Sequence, residues 1–463
     1  MARVLLLNPP SREICMRDYF CSKISKGSYC YHPVDLLILS GILSVRHEVQ
    51  VLDAVVQRLK NERTFSLAKG YKPDVIVFLT GAVSFHGDGP FLKELKQATG
   101  ARMVGLGDIF LEKPERVFEL WPWLDAALLD FTTPDILDLV ESANKISRNA
   151  VVRSPDGQLI RLPVVQTPGA WGTALPRHDM FSSLPYSFPF ARKKRFATVL
   201  TNFGCPYSCT YCPTGSFLYK ERPLGSIAEE LDSLQALGIS EIFFKDQSFG
   251  PGRERIAALC RELTGRKWPF GWTCFLRPEM ADEKVVGLMA AAGCHTIIFG
   301  VESGEAEVRR LYGREYSDNI LREAFAACRK FGVETVATFV MGLPGESTGS
   351  LDKTIALARE LDCDYASFNI FVPAYGTALR KKLIDQGVVT DELAFMDSAV
   401  SKPYMSTALL PAEELWKMHR RAVWSFYGRP GFLIKRLLGA GSWGRMFRMW
   451  AEGWSVMSAR RNA

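Results

Sequence analysis

Three cysteines near the middle of the chain have a spacing that suits an iron–sulfur cluster. Cys205, Cys209 and Cys212 form a CxxxCxxC pattern directly after an apolar run at 196–200. Three thiolates at this spacing can hold three irons of a cubic 4Fe-4S cluster, whereas a cluster that only carries electrons normally has four protein thiolates. The open fourth iron is then able to bind a reactant. The pattern therefore predicts catalysis rather than electron storage.

The same three cysteines have two alternative interpretations. One is a zinc knuckle, but structural zinc takes four nitrogen or sulfur ligands, and no CxxC or HxxxH partner lies near the triplet. The other is that three unrelated cysteines lie close together in the sequence. Both alternatives stay open at this point, and the spacing favours the cluster.

The composition is that of a large folded protein. The chain has 463 residues, which exceeds one ordinary core and predicts two or three domains. Hydrophobic residues make up 47% and charged residues 23%, a balance typical of soluble enzymes and not of disordered chains. The eleven cysteines, an odd number scattered through apolar segments, indicate reduced thiols and a cytoplasmic protein. No transmembrane segment is expected, because Gly293 and His295 interrupt the longest apolar stretch, 285–301.

Residues 1–148 alternate short apolar runs with amphipathic stretches. This alternation predicts a doubly wound, Rossmann-like α/β domain with about five parallel strands. Ligands of such sheets bind beyond the carboxyl ends of the strands. The residues expected at that edge are Asn8, Asp53, Thr80–Val83, Gly105–Asp108 and Asp130–Thr133. Cys15, Cys21 and Cys30 fall in the long first loop facing this edge, and ordinary loop thiols are favoured because their spacings match no metal motif.

A hairpin around 155–157 and a proline-rich linker are predicted for residues 149–195. Strand and helix then alternate six times between 196 and 386, which predicts a partial barrel. Its strands are expected near 197–202, 240–245, 270–275, 295–301, 335–341 and 365–371. The catalytic face of such a barrel is the carboxyl edge of its strands, and the cysteine triplet follows the first strand at that edge.

The sequence also predicts where several helices begin. Ser226 and Glu229 form a capping-box pattern for the first barrel helix, and Ser317 or Asp318 can cap a later one. The remaining residues, 387–463, are expected to form a C-terminal helical region with a helix at 413–427.

The charge of the chain is concentrated towards its C-terminal end. The net charge is +7, and 429–461 holds seven basic residues, one acidic residue and five large aromatic residues. A basic aromatic helix can lie on an anionic membrane surface, contact nucleic acid or cover a substrate channel, and a packed terminal helix is the structural alternative. Peripheral membrane contact stays open, whereas no nucleic acid is expected because the sequence shows no RNA-binding module.

Five short motifs occur at the predicted strand ends of the second region. They are the CxxxCxxC triplet, Phe243–Phe249, Gly300–Gly304, Met341–Glu346 and Pro373–Thr377. In this order and at these positions, the motifs resemble those of the radical S-adenosylmethionine enzymes over residues 196–385. In that family the open iron binds the amino and carboxylate groups of S-adenosylmethionine, and one-electron reduction of the sulfonium gives a 5′-deoxyadenosyl radical.

The resemblance implies roles for individual residues of this sequence. Cys205, Cys209 and Cys212 would ligate the cluster. Contacts to S-adenosylmethionine are implied for Tyr211, Asp246, Ser248, Arg277, Glu302 and Ser303. Helix capping is the structural alternative for Asp246 and Ser248, and an ion pair, a loop brace or simple packing is the alternative for the others. The resemblance also implies an electron donor such as flavodoxin or ferredoxin.

The first region carries a second resemblance. Leu5–Pro10, Asp35–Gly41, His47–Asp53 and Lys72–Val77 resemble the cobalamin-binding domain that precedes the barrel in one subclass of radical S-adenosylmethionine enzymes. The DxHxxG histidine motif of many cobalamin domains is absent from the sequence, as is usual in this subclass. Cobalamin contacts are implied for Thr80, Gly105 and Gly107, although the subclass commonly has paired glycines where this chain has 105–108. The alternative is a degenerate domain retained for folding or dimerisation.

Together the motifs predict a cobalamin-dependent radical S-adenosylmethionine methyltransferase that acts on an unreactive carbon of a small, hydrophobic molecule. Two other functions stay open. An oxidative cyclase or rearrangement enzyme, similar to the anaerobic ring-forming enzyme of bacteriochlorophyll synthesis, would use both cofactors without transferring a methyl group. A non-catalytic iron–sulfur interaction protein would not cleave S-adenosylmethionine.

Overall fold

Two large sheets, each covered by helices, dominate the computed structural model of the chain. The structure describes residues 1–142, 147–162, 169–172, 174–399, 402–407, 409–430 and 432. The predicted α/β class, a Rossmann-like domain followed by a partial barrel, is confirmed. The domain boundaries derived from the sequence stay predictions.

The first sheet is built mostly from parallel strands. The strands of this half are β1 (Arg3–Asn8), β2 (Cys15–Asp18), β3 (Cys21–Ile24), β4 (Glu48–Asp53), β5 (Val75–Leu79), β6 (Arg102–Leu106), β7 (Ala126–Leu128), β8 (Ala150–Arg153) and β9 (Leu159–Arg161). The helices are α1 (Val34–Ser44), α2 (Asn61–Tyr71), α3 (Phe85–Thr99), α4 (Pro114–Leu120) and α5 (Asp135–Glu141). Strands β1 and β5 are buried along almost their whole length, as expected where helices cover both faces of a parallel sheet.

The order of the first sheet is β4-β1-β5-β6-β7-β8-β9. The first five strands in this order are parallel, as the alternating pattern predicts. Strand β8 then runs antiparallel to β7, and β9 runs antiparallel to β8. The hairpin predicted after residue 148 therefore forms, and it extends the first sheet.

Strands β2 and β3 form a separate hairpin inside the first long loop. We call residues 15–24 the tongue. Its turn residues, Tyr19 and Phe20, have φ values of +56° and +51° and are almost completely buried. Cys15 and Cys30 are buried, whereas Cys21 is exposed. The sequence pattern did not predict this hairpin.

The second sheet is a six-stranded partial barrel with one small sheet beside it. The strands of this half are β10 (Gly169–Ala170), β11 (Ala197–Val199), β12 (Asn202–Phe203), β13 (Lys220–Glu221), β14 (Glu241–Phe244), β15 (Gly271–Leu276), β16 (Cys294–Glu302), β17 (Glu334–Met341) and β18 (Tyr365–Ile370). The barrel order is β11-β14-β15-β16-β17-β18, with every neighbouring pair parallel. All six barrel strands lie where the sequence predicts them.

The helices of the second half pack outside the barrel strands. They are α6 (Leu224–Ala236), α7 (Arg253–Gly265), α8 (Glu283–Ala291), α9 (Ala306–Leu311), α10 (Asp318–Lys330), α11 (Thr348–Glu360), α12 (Ala378–Asp385) and α13 (Ala412–Tyr427). Ser317 caps α10 by accepting the N–H of Ile320 at 3.4 Å, as predicted. The capping box at Ser226 is wrong, because α6 begins two residues earlier after Pro223, a residue whose fixed φ suits the start of a helix.

One hydrophobic cluster joins the two halves of the molecule. It extends from Leu6 of the first sheet, through Tyr19 of the tongue and Phe203, to Phe243 and Val336 inside the barrel. Burial of this many apolar side chains stabilises the contact between the halves by the hydrophobic effect. The strand ends of the first sheet therefore face the interior of the barrel.

No helix in the described part of the chain is both long enough and apolar enough to cross a membrane. The predicted helix at 413–427 is confirmed as α13. Most of the basic tail lies outside the described residues, so peripheral membrane contact stays a prediction.

Candidate active site

The cysteine triplet lies in a loop that a short antiparallel pair closes. Strand β12 leads into this loop and β13 leads out of it, with Phe203 opposite Lys220. We call residues 204–219 the cluster loop. It begins at Gly204, whose φ is +75° and where a Cβ atom would lie 2.7 Å from the carbonyl oxygen of Leu218. This backbone geometry requires glycine.

Three barrel segments hold the cluster loop at the carboxyl edge of the strands. The Tyr207 hydroxyl donates to the carbonyl of Pro251 at 3.0 Å. The carbonyl of Thr210 accepts the N–H of Leu379 at 2.9 Å. Gly313, with a φ of +77°, packs so closely against Ser208 that a Cβ atom would lie 3.1 Å from its carbonyl oxygen. The loop is thus fixed on the predicted catalytic face.

The three thiols of the loop share one electrostatic environment. Cys209 is buried, and Cys205 and Cys212 are half-buried. The pKa of Cys205 is raised to about 11, mainly by burial and in part by the charges of Cys212 and Cys209, against the lowering effect of a backbone hydrogen bond from Tyr207. All eleven cysteines lie in described residues and are free thiols. Within the described ranges, no three or more His, Cys, Asp or Glu side chains are close enough to hold a single metal ion.

Two guanidinium groups lie beside the thiols. Nη1 of Arg277 lies 3.8 Å from Sγ of Cys209. Burial raises the pKa of Cys209, and the positive charges of Arg314 and Arg277 lower it. Cationic neighbours stabilise thiolates and the negative charge of a thiolate-ligated cluster. The donor set and its surroundings therefore fit an iron–sulfur cluster.

Asp246 ties the end of β14 to the chain that enters the cluster loop. Its carboxylate accepts the N–H of Thr201 at 2.7 Å and the N–H of Asn202 at 2.9 Å. Burial raises its pKa to about 6. The capping alternative is wrong for Asp246, because the next helix, α7, has Gly252 as its N-cap. Contact of Asp246 with S-adenosylmethionine stays a prediction.

Ser248 offers an unused hydroxyl next to this carboxylate. Its backbone carbonyl accepts the side-chain amide of Asn202 at 3.1 Å. The Ser248 Oγ atom and the Asn202 Oδ1 atom are buried and have no hydrogen-bond partner among the described residues. Unpaired buried polar atoms are costly unless a ligand or water binds them. Ser248 is therefore available for the contact that the sequence predicts.

Glu302, Arg314 and Tyr211 form a polar cluster on the other side of the loop. Glu302 Oε1 pairs with Arg314 Nη2 at 2.7 Å, and Arg314 Nε donates to the Tyr211 hydroxyl at 3.2 Å. Glu302 has a φ of +67°, which is strained for a residue with a side chain. A Cβ atom on Gly300 would lie 2.4 Å from the Glu302 carboxylate. The glycine and the strained backbone thus place this carboxylate.

Ser303 is used inside the protein. Its hydroxyl donates to Glu346 Oε1 at 3.1 Å. The other oxygen of Glu346 accepts the N–H groups of Gly342 and Leu343 at 2.7 and 3.0 Å, which closes the glycine-rich turn after β17. Burial raises the pKa of Glu346 to about 7. Ser303 therefore supports a turn, and its contact with S-adenosylmethionine stays a prediction.

Arg277 makes the ion pair that the sequence left open as an alternative. Its Nε donates to Glu279 at 2.5 Å, and its guanidinium lies 3.8 Å from the ring centre of Tyr207. Both contacts are compatible with its position beside Cys209. Arg277 therefore lies at the cluster loop, and its predicted pairing with a carboxylate of S-adenosylmethionine stays a prediction.

A cavity of about 440 Å³ lies between the first sheet and the cluster loop. Asp130, Thr132 and Thr133, at the carboxyl end of β7, form one side. The lining further includes Phe110, Asn149, Arg161, Trp171, Phe203, Ser216, Phe217, Leu218 and Lys220. Trp171 is 4% exposed, and its Nε1 has no hydrogen-bond partner in the part of the chain that the structure describes. An unpaired buried donor in a cavity wall is a candidate ligand contact.

The predicted cobalamin residues lie near this cavity but outside its described lining. Thr80 donates its hydroxyl to Asp88 at 2.8 Å. A Cβ atom on Gly107 would lie 1.9 Å from the carbonyl oxygen of Thr80, and one on Gly105 would lie 2.7 Å from the ring of Phe110. Close packing thus explains both glycines. Contacts of these three residues to cobalamin stay predictions.

Residues 199–358 match the family model of the Radical SAM superfamily. The matched range begins at the last residue of β11 and ends within α11, so it includes the cluster loop and the ends of β14 and β16. Residues 199–358 therefore form a radical S-adenosylmethionine domain, and the chain is an enzyme. A domain of this family takes a 4Fe-4S cluster and S-adenosylmethionine. Ligation of the cluster by Cys205, Cys209 and Cys212 stays a prediction.

Curated relatives resemble the enzyme over most of its length. An uncharacterized methyltransferase of Pyrococcus horikoshii is 25% identical over 420 residues, which cover 87% of the enzyme and 89% of the relative. The anaerobic magnesium-protoporphyrin IX monomethyl ester cyclase of Rubrivivax gelatinosus is 24% identical over 347 residues, which cover 72% of the enzyme and 57% of the relative.

A solved structure shares the fold of the enzyme. The radical S-adenosylmethionine methyltransferase TsrM from Kitasatospora setae, with cobalamin and a 4Fe-4S cluster bound, superposes with a TM-score of 0.70. The two chains are 18% identical, and the superposition covers 100% of each. The likeness at this identity establishes a common fold for the whole enzyme.

The motifs missed two residues of the candidate site. Arg314 follows α9 in a Gly-Arg pair, and only its tertiary contacts with Glu302 and Tyr211 show that it belongs there. Trp171 lies in the segment that the sequence predicts as a linker. A tryptophan in a proline-rich stretch is a weak signal that the stretch is buried.

Proposed function

We propose that this enzyme is a cobalamin-dependent methyltransferase that methylates an unactivated carbon of a small, hydrophobic molecule. The observation that carries the proposal is the cavity between the strand ends of the first sheet and the cluster loop. The fold shared with a cobalamin-bound methyltransferase and the methyltransferase names of curated relatives support it.

The residues around the cluster loop suit S-adenosylmethionine. The cluster, when bound, supplies one electron for the reductive cleavage of S-adenosylmethionine. Glu302 and Arg314 place a negative and a positive charge beside the loop, which matches the two charges of an amino-acid group. Tyr211 packs edge-to-face on Tyr312, with ring centres 6.2 Å apart, and can present its ring to the adenine. The Ser248 hydroxyl, unpaired among the described residues, completes the set.

The cavity residues suit cobalamin. Cobalamin, when bound, supplies a carrier for the methyl group. The side chains of Phe203 and Phe217 can pack against a flat ring, and Trp171 Nε1 and Asn149 can hydrogen-bond to its amide groups. None of the six histidines lies in the described lining of the cavity, so this lining offers no histidine ligand for cobalt. This agrees with the subclass that the sequence resembles.

The apolar contact between the two halves lies beside the proposed site of the reaction. A hydrophobic cluster that includes Tyr19 and Phe203 joins the halves beside the cavity. Apolar walls limit the access of water to a reactive intermediate. We expect a small molecule that fits between the domains, and an electron donor such as flavodoxin or ferredoxin that reduces the cluster.

Transfer of a labelled methyl group tests the proposal. The anaerobically reconstituted enzyme is incubated with cobalamin, a reductant, methyl-labelled S-adenosylmethionine and an extract of its host. We expect label in a small-molecule product with the wild-type enzyme and none with the Cys205→Ala, Cys209→Ala, Cys212→Ala variant. Methyl transfer would be contradicted if the enzyme consumed a substrate of the extract while all of the label stayed in S-adenosylmethionine and cobalamin.

Oxidative cyclisation is the second candidate function. The named cyclase of Rubrivivax gelatinosus, which resembles 72% of the enzyme, favours it. The same incubation separates the two functions. A cyclase converts its substrate into an unlabelled product of lower hydrogen content, which mass spectrometry detects.

A further inference from the structure

The tongue reaches from the first sheet towards the cluster loop, and Arg17 fixes its base. The Arg17 side chain is about 1% exposed and pairs with Asp88 at 2.7 Å. It also donates to Asn8 Oδ1 at 2.8 Å and to Ser84 Oγ at 2.8 Å. These contacts hold the hairpin at the carboxyl edge of the first sheet, and its tip then projects away from that edge.

The tip of the tongue has large aromatic residues at positions whose backbone conformation usually requires small residues. Tyr19 and Phe20 both have left-handed φ values, a geometry for which hairpin turns usually use Asn and Gly. Such strain persists only when the surroundings fix the conformation, and it occurs preferentially at functional sites. The Tyr19 ring stacks on Phe203 with ring centres 5.3 Å apart, and it meets Phe131 edge-on at 5.7 Å.

The hydroxyl of Tyr19 meets the cluster loop directly. It accepts the N–H of Gly204 at 2.6 Å, and Gly204 immediately precedes Cys205. Tyr19 is fully buried. Burial, together with the nearby charges of Asp246 and Cys205, holds the pKa of Tyr19 well above its usual range, so the phenol keeps its proton. A protonated hydroxyl therefore lies at the start of the loop that holds the cluster.

We propose that Tyr19, a residue of the first domain, is a positioning residue for the iron–sulfur cluster: its phenol fixes the Gly204 amide and thereby the backbone of Cys205. The inference rests on the proposed function, which requires the cluster. Groups that hydrogen-bond around cluster ligands orient them and tune the electronic properties of the cluster. The cobalamin-like domain thus contributes directly to the cluster site.

The Tyr19→Phe variant tests this role, because it keeps the ring and removes only the hydroxyl. Tyr31→Phe is the matched control. The Tyr31 ring is also buried and lies 5.7 Å from the Lys245 ammonium, as the Tyr19 ring does, but it packs on Phe188 and Phe243. Each reconstituted enzyme is examined for iron content, for the rate at which a chelator removes the iron, and for the EPR spectrum of the reduced cluster.

For Tyr19→Phe we expect normal iron content, iron release about fivefold faster, and changed EPR g-values, because one hydrogen bond at the cluster loop is lost. For Tyr31→Phe we expect wild-type release and wild-type g-values. A merely structural role of Tyr19 would lower the melting temperature without changing the g-values.

Unchanged release and g-values in Tyr19→Phe, or equal changes in Tyr31→Phe, would overturn the inference. If Tyr19→Phe does not fold, 3-fluorotyrosine at position 19 replaces it as the test, because it keeps both the ring and the hydroxyl. The fluorine makes the hydroxyl oxygen a weaker acceptor, so iron release should still be faster than in the wild type. Iron release at the wild-type rate would then overturn the inference. A wild-type protein that binds no iron would contradict the proposed function as well, so the two failures are distinguishable.

Discussion

Arg314 is the residue whose chemistry the cysteine motif does not reveal. It joins Tyr211, beside the last cluster cysteine, to the strained Glu302, and both partners are residues that the motifs predict. The short motifs could be predicted from the sequence because they sit at strand ends in a fixed order. Arg314 could not, because its role depends on where α9 ends in space.

Replacement of Arg314 should weaken binding of S-adenosylmethionine. In Arg314→Met, the Glu302 carboxylate, 8% exposed, is left without its partner, and the positive charge of the site is lost. We expect affinity to fall about tenfold or more, with Arg314→Lys in between because lysine lacks the planar fork. Equilibrium binding of labelled S-adenosylmethionine to the reconstituted enzyme measures this.

Arg310→Met is the control for this prediction. Arg310 lies four residues earlier, and its ion pair with Glu307 is exposed to solvent, where such pairs contribute little. Wild-type affinity is expected for this variant. Wild-type affinity in Arg314→Met would contradict the assignment of Arg314 to the site.

The raised pKa of Glu346 predicts that the stability of the protein depends on pH. Burial raises its pKa to about 7, so the folded state binds a proton that an ordinary unfolded glutamate releases at a pH of about 4.5. Stability from this group is present at low pH and is lost as the pH rises to about 7. Glu346→Gln keeps one acceptor oxygen for the N–H groups of Gly342 and Leu343, places an NH2 group towards Ser303, and should remove this loss because it does not titrate.

The melting temperatures of Glu346→Gln and wild-type protein at pH 5 and pH 8 measure the effect. We expect the variant to gain stability relative to wild type at pH 8, by about 3 kcal/mol from the pKa difference. The exposed Glu360→Gln is the control. The prediction would be contradicted if the variant and the wild type differed in melting temperature by the same amount at pH 5 and at pH 8.

At the scale of elements, alternating strands and helices were the predictable part of the fold. All six barrel strands and the five parallel strands of the first sheet match the expected pattern, because buried parallel strands read as short apolar runs. The pattern did not predict the tongue, and it predicted the β8-β9 hairpin without assigning it to the first sheet. Local sequence does not say which sheet a hairpin joins, since tertiary contacts decide this.

The segment predicted as a linker contributes to the candidate site. Tyr186 donates its hydroxyl to the buried Asp53 at 2.8 Å, and Trp171 lines the cavity. Its backbone also pairs with the barrel side, since β10 runs parallel to β13 beside the cluster loop. The linker therefore connects the cavity to the loop that carries the cysteines.

Trp171→Phe should lower the affinity for cobalamin without lowering the melting temperature of the cobalamin-free protein. The Nε1–H group is buried and has no partner within the described residues, so its removal from the cobalamin-free protein should leave the melting temperature equal or higher. Affinity for hydroxocobalamin should fall about fivefold, the effect of one lost hydrogen bond. Equilibrium dialysis and thermal unfolding measure the two effects.

Trp268→Phe is the control for the cavity. Trp268 packs outside the barrel, and its Nε1 donates to Asp232 at 2.9 Å. This variant should bind hydroxocobalamin as the wild type does. Wild-type cobalamin affinity in Trp171→Phe would remove the support that the unpaired indole gives to a cobalamin site.

At the scale of the whole molecule, two α/β units meet with their strand ends facing each other. The first unit contributes the cavity wall at Asp130–Pro134 and the tongue, and the barrel contributes the cluster loop. The sequence predicts the order of these units, but not that Tyr19 and Lys220 connect them. Lys220 of β13 pairs with Asp130 of the first unit at 2.5 Å, so the cysteine loop and the first sheet are held together.

The central claim is that Cys205, Cys209 and Cys212 hold a cluster with an open iron that cleaves S-adenosylmethionine. Its most direct test is the amount of 5′-deoxyadenosine that the reduced, anaerobically reconstituted enzyme forms, measured by mass spectrometry together with bound iron. We predict about four irons per chain, as a cubane requires, and 5′-deoxyadenosine that disappears when the three cysteines are replaced by alanine. Iron-free wild-type protein, or equal 5′-deoxyadenosine from the alanine variant, would contradict the account.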